Sequence, residues 1–96
     1  MIDPAAIQEK LREVLAPMGA TGFSSLGNLV RFEIGRDGIR EAGRLLLSRL
    51  SLELYLLLAN DRREDRGCFD LVYLFAHPGE YWFVEMTAAV PADEPR

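Results

Sequence analysis

The stretch that decides the fold is residues 67–91, GCFDLVYLFAHPGEYWFVEMTAAVP. Two apolar-rich runs, Cys68–Ala76 and Tyr81–Val90, flank the segment His77–Glu80. The proline of that segment has the φ that the second residue of a turn requires, and its glycine tolerates positive φ at the third. The stretch therefore predicts a β-hairpin with a four-residue connection.

The predicted turn also decides which side chains of the hairpin share a face. One face is apolar apart from the hydroxyl group of Tyr73, and the other carries Asp70, Glu85 and Thr87. A slip by one residue would turn the apolar set to the wrong side, so the alternation supports the register set by the turn. Counted from the turn, the expected pairs are Ala76–Tyr81, Phe75–Trp82, Leu74–Phe83, Tyr73–Val84, Val72–Glu85, Leu71–Met86, Asp70–Thr87 and Phe69–Ala88.

The composition indicates one globular domain that needs neither a metal ion nor a disulfide bond. The chain has 96 residues, of which 49% are hydrophobic and 27% charged, and a chain of this length buries a modest core. We expect a single domain over residues 1–96, with residues 91–96 as a tail. The formal net charge of −4 argues against nucleic acid as a partner, because the phosphate backbone attracts basic surfaces.

Residues with catalytic or ligand-binding chemistry are sparse. The single cysteine, Cys68, excludes an internal disulfide and a multi-cysteine metal site, and we expect a half-buried structural thiol. The single histidine, His77, lies in the predicted turn with no nucleophile beside it. The glycines match neither common phosphate-binding pattern. The sequence therefore predicts no catalytic residue, no metal ligand and no cofactor.

The N-terminal part predicts a helix followed by a hairpin. Asp3 can accept hydrogen bonds from the first turn of a helix, and Pro4 suits the first helical position. Two short runs, Ala20–Leu26 and Leu29–Ile34, surround Gly27-Asn28, a dipeptide typical of tight hairpins. The buried stripe of the helix recurs at helical spacing and comprises Ile7, Leu11, Val14, Leu15 and Met18.

The prediction continues with a second helix over Ile39–Leu50 and a strand over Leu52–Ala59. Asp37 is the expected cap of this helix. Gly43 costs about 1 kcal/mol of helix stability relative to alanine, which suggests close packing on the sheet. The charged run Asn60–Arg66 is predicted as a loop. The order α-β-β-α-β-β-β predicts an α+β two-layer domain, with both helices on one face of a mixed or antiparallel sheet.

The sheet face without helices is expected to carry many apolar side chains. This face comprises the odd-numbered residues of the strand over Leu52–Ala59 and the face of the hairpin that carries Asp70, Glu85 and Thr87. A contiguous apolar patch with a polar rim is typical of a docking surface, whereas scattered apolar surface residues are ordinary. The expected members of this face are Glu53, Tyr55, Leu57, Asp70, Val72, Leu74, Tyr81, Phe83, Glu85 and Thr87.

The sequence contains no membrane-spanning signal. No apolar run approaches the roughly 18–20 residues that cross a bilayer. Residues 1–14 lack the pattern of a signal peptide. We therefore expect any contact with a membrane to pass through a partner.

The second half of the chain resembles a known family. The stretches ANDRREDRGCFDLVYLF at 59–75 and VPADEP at 90–95 are similar to the 30 kDa subunit of respiratory NADH dehydrogenase. They equally resemble the matching subunit of energy-converting nickel–iron hydrogenases, including carbon-monoxide-induced and formate-linked types. In that family, which has the same order of elements, a strand near an aspartate leads through a charged loop into F-x-[LV]-V-Y-x-[LF], and a later strand ends at a proline and acidic residues. Asp61, Phe69, Leu71, Val72, Tyr73, Pro91, Asp93 and Pro95 occupy these positions here.

Two features depart from the family pattern. The family usually continues into a segment with a tryptophan and a tail that wraps the large subunit, whereas this sequence ends at Arg96. We therefore expect either a truncated form of a longer subunit or a shortened relative. Leu58 and Ala59 stand where the family often has small polar residues.

The resemblance implies an accessory subunit without redox centres of its own. It would lie in the cytoplasm, peripheral to the inner face of the cytoplasmic membrane. Its partners would be a large hydrogenase-like subunit that carries the quinone site and a small iron–sulfur subunit. The residues nominated for this interface are Tyr55, Leu57, Val72, Leu74, Tyr81 and Phe83, with Arg62, Arg63 and Arg66 at the rim.

Other functions remain open from the sequence. One is a stand-alone α+β module that binds a small molecule or a peptide, and that could form a homodimer through the same sheet face. An independent hydrolase is a third hypothesis, but no set of residues supports it.

Overall fold

The computed structural model describes residues 3–91. The predicted tail, including Asp93 and Pro95, lies outside these residues apart from Pro91, which ends the last described strand. The predicted fold class and order of elements are confirmed, with additional short helical turns at Ala16–Met18, Arg36–Gly38 and Arg63–Arg66. The elements are α1 (Pro4–Leu15), β1 (Thr21–Leu26), β2 (Leu29–Glu33), α2 (Ile39–Arg49), β3 (Glu53–Arg62), α3 (Arg63–Arg66), β4 (Cys68–Ala76) and β5 (Phe83–Pro91).

The five strands form one mixed sheet in the order β1-β2-β5-β4-β3. Neighbours are antiparallel except β2 and β5, which run parallel with Leu29 opposite Phe83. Parallel neighbours need a long connection, because the chain must return to the same end of the sheet. Here α2 and the β3–β4 pair lie in that connection, so the last described strand is placed inside the sheet.

The start of α1 follows the prediction, and the start of α2 does not. Asp3 Oδ1 accepts a hydrogen bond from the Ala5 amide at 3.1 Å, and Pro4 holds the first helical position. Asp37 was the expected cap of α2, but Gly38 holds that position and no side chain caps the helix. Asp37 belongs to a preceding 3-10 turn, where its carboxylate lies 3.5 Å from Arg36 Nη2.

The core lies between the helices and one face of the sheet. Leu11 and Leu15 of α1 are fully buried, as their helical spacing predicted, and Ala42 and Leu46 of α2 are fully buried as well. Burying each large apolar side chain contributes roughly 1.5–3 kcal/mol. The sheet side of this core comprises Val30, Phe32, Phe75, Val84, Met86 and Ala88.

Gly43 of α2 offers a direct test of local packing. The prediction that this glycine marks close packing is wrong, because a Cβ built there meets nothing within 4 Å. Gly43→Ala should therefore raise the free energy of unfolding by about 0.5–1 kcal/mol, since alanine loses less conformational entropy in a helix. Urea unfolding followed by the fluorescence of Trp82 measures the change.

The contrasting variant is Gly38→Ala. Its Cβ would lie 2.9 Å from Cδ1 of the buried Ile34, so this change should not stabilise the protein. A loss of stability in Gly43→Ala, or an equal gain in both variants, would contradict this difference in packing between the two glycines.

The central hairpin forms on the predicted faces, but its register is shifted by two residues. Ala76 lies opposite Phe83 rather than Tyr81, and Phe75 lies opposite Val84. The connection extends to Trp82, whose carbonyl accepts the His77 amide at 3.0 Å. An even shift keeps every side chain on its face, which is why the predicted core residues are still buried.

Strand β3 differs from the prediction in length and in the faces of its side chains. It continues through Asn60–Arg62, which were predicted as loop. A bulge between Leu54 and Leu56 inserts one extra residue, Tyr55, relative to β4. A bulge reverses the alternation beyond it, so the predicted faces are wrong for the second half of this strand. Leu57 lies opposite Tyr73 on the helix side of the sheet, not on the open face.

Candidate docking surface

The sheet face without helices divides into a polar half and an apolar half. The polar half lies on β2 and the neighbouring part of β5, where Arg31 Nη2 and Glu85 Oε2 are 3.3 Å apart. The apolar half lies on β4 and β3 and reaches Phe83 at the start of β5. We call this half the open-face patch; its members are Tyr55, Leu56, Leu58, Val72, Leu74 and Phe83.

The open-face patch combines exposed edge residues with half-buried central residues. The exposed fractions are 70% for Tyr55, 44% for Leu56 and 48% for Leu58, whereas Val72 and Leu74 are half-buried. The ring of Tyr55 contacts that of Phe83 edge to face, with centroids 6.3 Å apart. Two aromatic rings therefore stand together on an exposed apolar surface, a composition that is enriched at protein interfaces.

Asp70 lies on the open face near the start of β4, opposite Asn60 and Ala89. Its carboxylate is almost fully buried, with Arg66 Nη1 3.4 Å from Oδ2. The Cys68 thiol lies 3.9 Å from the other carboxylate oxygen and can donate a weak hydrogen bond to it. Cys68 is itself buried, more deeply than the predicted half-buried thiol. This contact fixes the start of β4 beside the patch.

Two nominated contact residues lie away from the open-face patch. Leu57 is on the helix side, as described above. Tyr81 was expected on the sheet, but it lies in the loop before β5 with a φ of 58°. Its carbonyl accepts a hydrogen bond from Asn28 Nδ2 at 2.8 Å, so the β1–β2 turn holds this loop in place.

The three nominated arginines do not form one continuous rim. Arg62 lies opposite Cys68 on the open face, and Arg66 faces Asp70. Arg63 instead stacks over the ring of Phe69, at 5.1 Å from its centroid, on the helix side.

Arg63 also pairs with the carboxylate at the end of β3. Its Nη2 and Nε donate to Asp61 at 2.8 Å and 2.9 Å, and its amide donates to the same carboxylate. These side-chain and main-chain hydrogen bonds lower the pKa of Asp61. Because the charged form is favoured, the pair holds the turn into α3 at neutral pH and weakens as the pH falls through the folded pKa.

Leu56 and Leu58 were not predicted as members of the open face. Alternation alone could not place them, because a bulge leaves no composition signal when leucines stand on both sides of it. The run of three leucines at 56–58 carried usable information all the same. In any register, three consecutive leucines put an apolar side chain on each face of a strand.

An apolar groove lies on the helix side, beside the start of α2. Its floor is formed by strands β3, β4 and β5, and Arg36 and Arg40 lie at its rim. Its volume is about 440 Å³, within the range of small-molecule sites. The apolar residues that line it are Ile39, Ala59, Phe69, Leu71, Tyr73 and Val90.

His77 makes more contacts than the sequence predicted for a surface turn residue. Its ring stacks on Trp82 at a centroid distance of 5.3 Å, and its Nδ1 accepts the Gly79 amide at 3.2 Å. These contacts close the loop of the hairpin. Within residues 3–91, no group of three or more histidine, cysteine or acidic side chains could hold a metal ion.

The helices of the described part of the chain are too short and too polar to cross a bilayer. Neither α1 nor α2 reaches the length and apolar character that crossing requires, and the same is true of the single turn α3.

Comparison with known proteins finds similarity to solved structures. No protein-family profile and no curated protein matches the sequence. Among solved structures, the chain is similar to one in the membrane-bound sulfane sulfur reductase, an archaeal respiratory membrane complex. The TM-score is 0.72 at 23% sequence identity, over 93% of this chain and 51% of that one. The match establishes a shared fold, and this chain spans about half the length of the matched chain.

Proposed function

We propose that this chain is a non-catalytic subunit of a membrane-associated electron-transfer complex and docks on its partners through the open-face patch. The observation that carries the proposal is the fold match over 93% of the chain to a chain of an archaeal respiratory membrane complex. The resemblance of residues 59–75 and 90–95 to the 30 kDa subunit family supports the same class of complex.

The proposed partners follow from that resemblance. They are a large hydrogenase-like subunit with the quinone site and a small iron–sulfur subunit, in a complex of the NADH dehydrogenase or energy-converting hydrogenase type. Electrons pass through those subunits, and this chain holds them in position. It is peripheral to the inner face of the cytoplasmic membrane and reaches the membrane through its partners.

The chemistry of the open-face patch suits a protein partner. An interface has an apolar core with a polar rim, and aromatic side chains contribute most of its binding energy. Tyr55 and Phe83 provide two aromatic anchors in contact with each other. The ion pair between Arg31 and Glu85 borders them on the polar half, where it can select the orientation of the partner.

Substitution of Phe83 tests the proposal. Phe83→Asp places a carboxylate beside Tyr55 in the open-face patch, and an unpaired charge buried in the interface costs several kcal/mol. We expect the tagged wild-type chain to recover the large and iron–sulfur subunits from membranes of its own organism. The variant should recover less than about a hundredth of that amount, as measured by quantitative mass spectrometry.

The matched control is Leu47→Asp on α2. Leu47 is 47% exposed and lies on the helix layer, so this variant adds the same charge away from the open face. It should recover both partners in wild-type yield, and circular dichroism should show that both variants are folded. Equal recovery by Phe83→Asp and the wild type would exclude the open-face patch as the interface. Recovery of no partner by the wild type would overturn the subunit function itself.

A second candidate function is a ligand-binding module, and the apolar groove favours it. The rim arginines Arg36 and Arg40 beside an apolar floor suit an amphipathic ligand with an acidic group. Recovery of the chain without any partner would make this function the stronger of the two.

A further inference from the structure

Strand β3 is an edge strand of unusual character. It is ten residues long, and β4 is its only neighbour in the sheet of residues 3–91. Its three central leucines, residues 56–58, are 44%, 52% and 48% exposed. Natural edge strands are usually short, or are interrupted by charges and proline, because an open apolar edge pairs with other chains. Beyond the bulge at Tyr55, which is itself a feature that blunts an edge, residues 56–60 carry no charge and no proline.

We propose that a second copy of this chain occupies the edge, with β3 pairing antiparallel to β3 of its partner about a two-fold axis at Leu58. The two five-stranded sheets then become one continuous sheet of ten strands. The interface is isologous, as is usual for soluble homodimers. It uses the main-chain edge of β3, whereas the open-face patch uses side chains on one face of the sheet; Leu56 and Leu58 belong to both surfaces.

The bulge determines which residues can lie opposite each other. Directly opposed residues of antiparallel strands share a face of the sheet. Because Tyr55 is the extra residue of the bulge, the ten residues occupy nine pairing positions, and Leu58 is the central one. Full overlap then places Leu58 opposite its own copy. On either side of Leu58, the two residues of each pair lie on the same face of the sheet. These pairs are Leu57–Ala59, Leu56–Asn60, Leu54–Asp61 and Glu53–Arg62.

The charges at the two ends of the strand select this register. With the axis at Leu58, Glu53 of each copy lies opposite Arg62 of the other on the open face, which gives two pairs of opposite charge. The neighbouring registers that preserve the faces are shifted by two residues. One of them places Glu53 opposite Asn60, and the other places it opposite Glu64. The register with the longest overlap is therefore also the one with complementary charges.

The apolar side chains of the strand favour the same pairing. The leucines next to the axis stand on both faces of β3, so pairing covers apolar surface on both sides of the sheet. Cross-strand pairs of this kind contribute roughly 0.2–1 kcal/mol each, and the main-chain hydrogen bonds of the edge are satisfied at the same time.

Cysteine cross-linking across the axis tests the proposal. Opposed residues have Cα atoms roughly 4.5–5.5 Å apart, within the range that a disulfide bond spans. Leu58→Cys should therefore form an intermolecular disulfide in more than half of the chains under mild oxidation. The wild type should not, because its only cysteine, Cys68, is buried.

Asn60→Cys is the matched control on the same face of the same strand. In the proposed register its copy lies four residues away along the partner strand, roughly 13 Å, so it should not cross-link. Equal cross-linking of both variants would indicate random collision and would overturn the register. Absence of cross-linking in Leu58→Cys would overturn the dimer.

Charge reversal gives an independent measurement of the same register. Glu53→Arg and Arg62→Glu should each weaken dimerisation about tenfold in sedimentation equilibrium, because each creates two pairs of like charge. The double variant should return to within about threefold of the wild-type dissociation constant. A wild-type chain that sediments as a monomer at 100 times the concentration of the cross-linking assay, or a double variant weaker than both single variants, would refute the proposal.

Discussion

Phe32→Ala should lower the free energy of unfolding by about 3–5 kcal/mol. Phe32 is 1% exposed and is the largest of the fully buried side chains. It lies on β2 opposite Met86 and stacks on Phe23, with ring centroids 5.4 Å apart. Because small domains are stable by only about 5–15 kcal/mol, this loss should leave much of the protein unfolded at moderate urea. Urea titration with Trp82 fluorescence measures the loss.

Two control variants separate cavity formation from the general cost of substitution at this site. Phe32→Leu keeps most of the volume and should cost about 1.5 kcal/mol or less. Phe23→Ala removes the more exposed partner of the same stack and should cost less than Phe32→Ala, since Phe23 is only half-buried. A loss below about 2 kcal/mol in Phe32→Ala would mean that the two layers do not pack around this ring.

Trp82→Ala should also cost about 3–5 kcal/mol. The side chain of Trp82 is 7% exposed, stacks on His77, and donates from Nε1 to Glu80 at 3.2 Å. Truncation removes the side chain that closes the loop at residues 77–82. Because the variant loses its fluorophore, thermal unfolding by far-ultraviolet circular dichroism measures the effect.

The main-chain hydrogen bond that closes this loop should survive the loss of the indole in Trp82→Ala. The hydrogen bond from the His77 amide to the Trp82 carbonyl needs no indole, so hydrogen exchange should still show this amide protected in folded Trp82→Ala. His77→Ala removes only one partner of the stack and should cost clearly less. An equal loss in both variants would show that the stack, and not the burial of the indole, holds the loop.

The faces of the central hairpin could be predicted from the sequence, but its register could not. A period of two assigns each residue to a face whatever the turn, and the burial of Val84 and Met86 confirms that assignment. The turn was assigned from Pro78 and Gly79, because these two residues are sufficient to form a tight turn when only their immediate neighbours are considered. The longer loop arises because the indole of Trp82 packs into the core and Asn28 holds Tyr81, contacts between residues distant in the sequence.

The candidate docking surface was predictable in part for the same reason. Val72, Leu74 and Phe83 lie on strands without a bulge, so alternation placed them on the open face. On β3, the bulge at Tyr55 turns Leu57 to the helix side of the sheet and places Leu56 and Leu58 on the open face instead. Leucine suits either face equally, so hydropathy cannot locate such an insertion, and only the pairing with β4 does.

The position of β5 constrains the order in which the chain can fold. β5 comes after all the other described strands in the chain, yet it lies between β2 and β4. During synthesis, the β1–β2 hairpin and the β3–β4 pair can form, but they cannot join until residues 83–91 have left the ribosome. Contacts so distant in sequence form slowly, and the leucines of β3 are exposed throughout this interval. We therefore expect nascent chains of this protein to depend on chaperones most strongly just before β5 emerges.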